Sequence, residues 1–252
     1  LNPQIAKNIF IITALTLFVL GFSWFFSKLT TKGEHLTDDE ARVYRFATIF
    51  GNTSFLGFPM CFALFGRVGL LYASIYSAVQ DIFFWTAGVS IMSEEENGRS
   101  LSNMLNPNLI AIAIGIVILF TNIKLPVFLD NAISSIGGAT MPLALMMVGS
   151  GFSSFDLSFG GIKNMLKVIF FKLVVMPIII GIILFKLPID DLVKYVVLLE
   201  FAMPTAASSV VMARNFDRDF TLASKLVMAT TLISMLTIPL LILLAKGISN
   251  FL

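Results

Sequence analysis

The 252-residue chain has little charge and few of the residue types that carry polar chemistry. Charged residues make up 13% of the sequence, against about 25% in ordinary soluble domains. A single cysteine, Cys61, excludes a disulfide within the chain and a cysteine-based metal site. The single histidine, His35, lies in a polar stretch, where we expect it to be solvated. The net charge of +2 leaves no basic surface of the kind that nucleic acid requires.

Apolar residues dominate what remains, at 57% of the chain with a mean hydropathy of +0.92. About 20 apolar residues cross a bilayer as a helix, so the apolar runs predict an all-α, multi-pass protein of the cell (plasma) membrane. The loops between the runs are too short for a folded soluble domain. The predicted spans are residues 5–26, 43–65, 68–92, 105–123, 127–151, 164–185, 191–213 and 220–246.

The second and seventh spans each carry a proline, small residues and hydroxyl side chains near their middle. Pro59 and Pro204 each remove a backbone donor and clash with the preceding turn, so both helices should be kinked or unwound there. Within a membrane, a broken helix survives only where it is packed in protein or lines a watery cavity. These two segments are therefore the most informative part of the sequence.

The two breaks are each followed, at nearly the same spacing, by a charged residue within the next span. Pro59 and Asp81 are 22 residues apart, and Pro204 and Lys225 are 21 apart. The broken spans are five helices apart and so cross the membrane in opposite directions, which predicts an inverted repeat of five plus five helices. Residues 1–104 would hold the last three helices of the first repeat, and residues 105–252 the whole second repeat. We expect two further helices before Leu1, so that this chain holds helices three to ten.

Several segments resemble the auxin efflux carrier family. Residues 52–59 read Asn-Thr-Ser-Phe-Leu-Gly-Phe-Pro, and further likeness lies in residues 139–149, 202–207 and 230–239. The short central loop at 93–104 is most similar to the bacterial malate- or malonate-permease-like branch. The resemblance implies a ten-helix inverted-repeat fold with two crossed broken helices, an organic anion bound beside the crossing, and a homodimer formed through the scaffold helices. Ser54 and Glu200 depart from the family pattern.

Unwound backbone and half-helix N-termini carry partial positive charge and suit a carboxylate. Asn52 and Thr205 are the preferred direct ligands, and the alternative is that both only satisfy broken backbone groups. The residues predicted to bind substrate are Asn52, Thr53, Gly57, Pro59, Pro204, Thr205, Ala206 and Ser208.

Charged residues within spans are functional candidates by default. Asp81, Glu200 and Lys225 are the candidates for ion coupling. Asp81 and Lys225 occupy corresponding repeat positions and would form a pair or share a ligand. Glu200 would bind H⁺ or Na⁺ near the unwound backbone, or be solvated at an interface. Lys172 is expected to snorkel or to pair within the bundle. No other cofactor is predicted.

Together these features predict a secondary transporter of a small organic anion, such as malate or an auxin-like carboxylate, working by alternating access in contact with membrane lipid. The chain lacks a glycine-rich phosphate loop, so a gradient or the substrate itself must supply the energy. An enzyme is not predicted, because the in-span carboxyls lack a supporting catalytic motif. The alternative is a channel or a membrane receptor for a small solute.

Overall fold

The computed structural model describes residues 3–32, 36–93, 107–121, 123–151 and 162–249, and its elements there are helices. Four of them, Pro3–Thr31, Thr53–Met92, Lys163–Phe185 and Phe220–Gly247, are long and apolar enough to cross a membrane. The all-α membrane class is thereby confirmed.

The elements are α1 (Pro3–Thr31), α2 (Asp38–Ile49), π1 (Thr53–Gly57), α3 (Phe58–Phe83), π2 (Phe84–Gly88), α4 (Val89–Met92), α5 (Pro107–Thr121), α6 (Val127–Gly151), α7 (Ile162–Phe170), π3 (Phe171–Val175), α8 (Met176–Phe185), α9 (Asp191–Phe201), α10 (Ser208–Asn215) and α11 (Phe220–Ser249).

Both predicted breaks are present, but the first lies earlier in the chain than expected. The helix is interrupted between Ile49 and Thr53, and Pro59 falls in the first turn of α3. Proline costs a helix little in its first turn, where its missing N–H would have no partner. At the predicted boundary between residues 65 and 68, Gly66 has a non-helical backbone with a φ of +66°, so α3 consists of two helical segments that meet at a kink. The second break separates α9 from α10 and contains Pro204.

Local capping groups explain where the two broken helices begin. Thr37 and Glu40 form a reciprocal capping box at the start of α2. Asp190 caps α9, its Oδ1 accepting from the backbone N–H of Leu192 at 2.9 Å and of Val193 at 3.3 Å. Each broken helix therefore has a defined start before it reaches its interruption.

The hydrophobic core forms two clusters that meet at the breaks. One cluster packs α1, the first part of α3, α8 and α9, and includes Tyr72, Tyr76 and Met203. The other packs α2, the end of α3, α4 and the α10–α11 region, and includes Phe50 and Ala206. Because the chain passes from one cluster to the other at residues 203–206, the second break lies at the boundary between them.

A polar cluster joins three elements at one end of the bundle. Arg218 donates from Nε to the carbonyl oxygen of Met92 at 2.8 Å and pairs with Asp39 through Nη1. Arg42 donates to the carbonyl oxygens of Ile91 at 2.9 Å and Ser93 at 2.8 Å. These bonds satisfy carbonyls at the end of α4 and connect it to the start of α2 and the α10–α11 turn.

We expect Arg218→Ala to lower the stability of the protein, because it removes a buried charged group that donates a hydrogen bond to the Met92 carbonyl. Hydrogen bonds to charged groups contribute about 1.5–3 kcal/mol. The thermal unfolding midpoint of the detergent-solubilised full-length protein should fall by roughly 5 °C. Arg214→Ala is the matched control, since Arg214 is exposed on α10. Equal midpoints for the two variants would contradict this role of Arg218.

Candidate functional site at the crossing of two broken helices

The two unwound segments cross and hydrogen-bond to each other. The backbone N–H of Asn52 donates to the carbonyl oxygen of Pro204 at 2.7 Å, and that of Ala206 donates to Phe50 at 3.1 Å. These bonds form an antiparallel bridge between Gly51 and Thr205. Backbone groups freed by one break are thus satisfied by the other, which is how irregular backbone can persist away from water.

Side chains of α3 hold the first break. Gln80 donates from Nε2 to the carbonyl oxygen of Gly51 at 2.9 Å and to Oγ1 of Thr53 at 3.0 Å. The Ser77 hydroxyl lies 3.0 Å from that of Thr53 and 2.7 Å from that of Ser54. Sequence reasoning missed Ser77 and Gln80, although two polar residues three apart on one face of an apolar helix were a usable signal.

The C-terminal end of α2 receives two donors from distant elements. Thr205, which is fully buried, donates from Oγ1 to the carbonyl oxygen of Ala47 at 3.1 Å. Lys172 of π3 donates from Nζ to the carbonyl oxygen of Thr48 at 3.0 Å. Lys172 is 3% exposed, so it does not snorkel, and its charge complements the negative end of the α2 dipole. The backbone N–H of Thr205 donates to Oγ1 of Thr230 on α11 at 3.1 Å.

Among the described residues, three buried side-chain atoms at the breaks have no hydrogen-bond partner: Nδ2 of Asn52, Oγ of Ser209 and Oε2 of Glu200. The other such atoms belong to Arg45, Ser93 and Thr237. Most buried polar atoms in proteins are paired, because an unpaired one costs about 1–3 kcal/mol. Asn52 next to π1, Glu200 on α9 and Ser209 on α10 are therefore positions where a polar ligand at the crossing would find unsatisfied groups.

Glu200 lies one residue before the end of α9 and is fully buried. The Cys61 thiol of α3 donates to its Oε1 at 3.2 Å. Its carboxyl group packs directly against the backbone of Gly57, where a Cβ atom would overlap both carboxyl oxygens. Gly57, which the motif placed in the substrate site, therefore makes room for Glu200, a relation between distant residues that the sequence did not indicate.

The other predicted residues occupy varied positions. Pro59 is half-buried on α3, and Ser208 is half-buried at the start of α10, whereas the neighbouring Ser209 is buried. None of the ion pairs between described side chains joins Asp81 to Lys225, and their predicted pairing or shared ligand role stays a prediction. His35 lies outside the described residues.

The crossing as a whole is closed. Residues 50–53 and 201–207 are all buried. Within the described residues, no group of three or more His, Cys, Asp or Glu side chains is arranged to hold a metal ion. Among the described residues, the arrangement offers hydrogen-bond donors and the acidic side chain of Glu200, which accepts from the Cys61 thiol.

Crossed, interrupted helices buried in an all-α membrane bundle define a membrane transport protein of the kind built around broken helices. The family model described as "Membrane transport protein" matches residues 2–104 and 99–242. The chain belongs to this family, which is auxin efflux carrier-like, and the resemblance carried by the motifs is confirmed.

Relatives of the chain are transporters by name. It is 29% identical over 219 residues to an uncharacterized transporter of Methanocaldococcus jannaschii, with 82% of this chain and 70% of that protein covered. It is 28% identical over 193 residues to an uncharacterized transporter of Methanothermobacter thermautotrophicus, with 75% of this chain and 63% of that protein covered. The matches thus span about two thirds of these relatives' lengths.

We expect Gly57→Ala to destabilise the protein, because its methyl group would displace the Glu200 carboxyl from the crossing. Overpacking of this kind costs about 1–3 kcal/mol, which thermal unfolding of the full-length protein would detect. The double variant Gly57→Ala with Glu200→Ala should recover much of the loss, since the overlapping group is gone. Gly21→Ala is the control, because nothing lies within 4 Å of a Cβ atom there. A loss at Gly57 that the second change does not relieve would contradict the contact.

Proposed function

We propose that this membrane transport protein is a secondary transporter that carries a small organic anion, such as malate or an auxin-like carboxylate, by alternating access. The observation that carries the proposal is the set of unpartnered buried donors at the crossing. Among the described residues, Nδ2 of Asn52 and Oγ of Ser209 have no hydrogen-bond partner, so each can donate to a ligand. Both lie where a half-helix begins, at π1 and α10, so the N-terminal ends of two helices add partial positive charge.

A carboxylate suits these donors better than a neutral solute. Hydrogen bonds with one ionised partner are about twice as strong as neutral ones. The buried amino group of Lys172, at the end of α2, adds a basic side chain behind the first break, and its protonated form would attract an anion. Within the described residues, no carboxylate forms an ion pair with Lys172. The crossing therefore favours an anionic ligand electrostatically.

The burial of the crossing supports alternating access. Asn52 and Ser209 are both buried, so a ligand would reach them only if helices moved. The boundary between the two core clusters runs through the same segment, which provides a plane for such movement. As part of the proposal, the protein is a multi-pass carrier of the cell membrane, a homodimer, and not an enzyme.

Flux measurements separate a carrier from a channel. The full-length protein in liposomes, loaded with unlabelled organic acid, should take up radiolabelled malate or another carboxylate of a mono- and dicarboxylate panel. The uptake should saturate and be stimulated by the internal acid through exchange. Large ohmic currents without exchange, or no uptake of any carboxylate, would contradict the proposal.

Asn52→Leu keeps roughly the side-chain volume but removes the amide. We expect it to raise the half-saturation constant for the transported acid about tenfold or more. The estimate follows from the contribution of a hydrogen bond to a charged group, about 1.5–3 kcal/mol. Asn8→Leu is the control, since Asn8 is a buried asparagine whose amide donates to the Tyr72 hydroxyl at 2.8 Å, away from the breaks. Similar kinetics in both variants would show that Asn52 only supports the backbone.

A further inference from the structure

Two ionisable side chains, one basic and one acidic, lie at the C-terminal ends of the half-helices α2 and α9. At the end of α2, Lys172 donates to the Thr48 carbonyl, and a cation there is favoured by the helix dipole. At the end of α9 lies Glu200, whose ionised form would be opposed by the dipole of its own helix. Burial adds to that opposition, because an uncompensated charge inside a membrane bundle is costly.

The surroundings of Glu200 supply no counter-charge. The titratable residues that face it are both on α3: Cys61, which donates to Oε1, and Tyr76, which lies near enough to interact electrostatically. The elements α1, π1, α8 and α11 also pack on α9, yet no described residue forms an ion pair with Glu200. Oε2 has no hydrogen-bond partner among the residues that the structure describes.

A proton suits this site better than a metal cation. A hard cation gathers about six oxygen ligands, whereas Glu200 is the one carboxylate at this point and its oxygens pack against the Gly57 backbone. A proton needs no such shell, and it removes the charge that both burial and the helix dipole disfavour.

We propose that Glu200 is the proton-binding site of the transporter and that its proton moves together with the organic anion. This inference rests on the proposed function. In the closed crossing Glu200 is a neutral acid, with Cys61 and Gly57 as positioning residues. When the half-helices separate, Oε2 meets water and the carboxyl group releases its proton to it. An anion bound at the crossing repels ionised Glu200, so anion binding and proton binding strengthen each other reciprocally.

The test uses the full-length protein in liposomes, with malate or whichever carboxylate of the panel exchanges. In wild type, an acidic exterior should stimulate uptake over that at equal pH. In Glu200→Gln the pH gradient should no longer change uptake, whatever the absolute rate of exchange in this variant. Asp191→Asn is the matched control on the same helix, since Asp191 pairs with Lys194 at the exposed start of α9, and it should keep the stimulation.

The outcomes separate the two proposals. No exchange by wild type would overturn the proposed function. Exchange with a pH stimulation that survives in Glu200→Gln would overturn the proton site alone, and so would stimulation by a Na⁺ gradient but not by a pH gradient. A second measurement does not depend on the variant: adding the carboxylate to weakly buffered wild type, at a pH high enough that Glu200 is ionised in the free protein, should cause net proton uptake. Absence of that uptake would also overturn the inference.

Discussion

The mutual hydrogen bonding of two unwound segments is the interaction on which the rest of the structure depends. Helix interruptions within a membrane leave carbonyl and N–H groups that water cannot satisfy, and each costs several kcal/mol if left alone. Here Asn52 and Ala206 donate to Pro204 and Phe50 across the crossing. Each break satisfies backbone groups of the other, so the two broken helices stabilise each other as a pair.

Once the crossing is formed, the groups left over at its four half-helix ends determine its chemistry. Thr205 and Lys172 cover carbonyls at the end of α2, and Ser77 and Gln80 hold the start of π1. The two remaining ends differ. Around α10 and π1 there are spare donors, and at the end of α9 there is an acid. Spare donors attract an anion, and the acid favours a proton, so one crossing provides both kinds of site.

Apolar runs were enough to predict the all-α membrane class and several helix boundaries. Boundaries such as 127–151 agree with α6, because length and apolar content determine a span locally. The first break was predicted at Pro59 but occurs at residues 50–52, since its position depends on the partner segment around Pro204. The roles of Gln80, Lys172 and Gly57 arise from contacts between residues far apart in sequence, for example Lys172 and Thr48, and no local pattern specifies such contacts.

Glu200 is also where the chain departs from the pattern of its family, and the structure indicates how that departure is accommodated. A carboxyl group at the end of α9 needs space, a donor and a means of remaining neutral. Gly57 leaves the space, and Cys61 provides the donor. Neutrality requires a proton whenever the crossing is closed, so closure itself selects the protonated form. Because burying the Glu200 carboxyl group favours its protonated form, movement of the half-helices and protonation of Glu200 are linked directly.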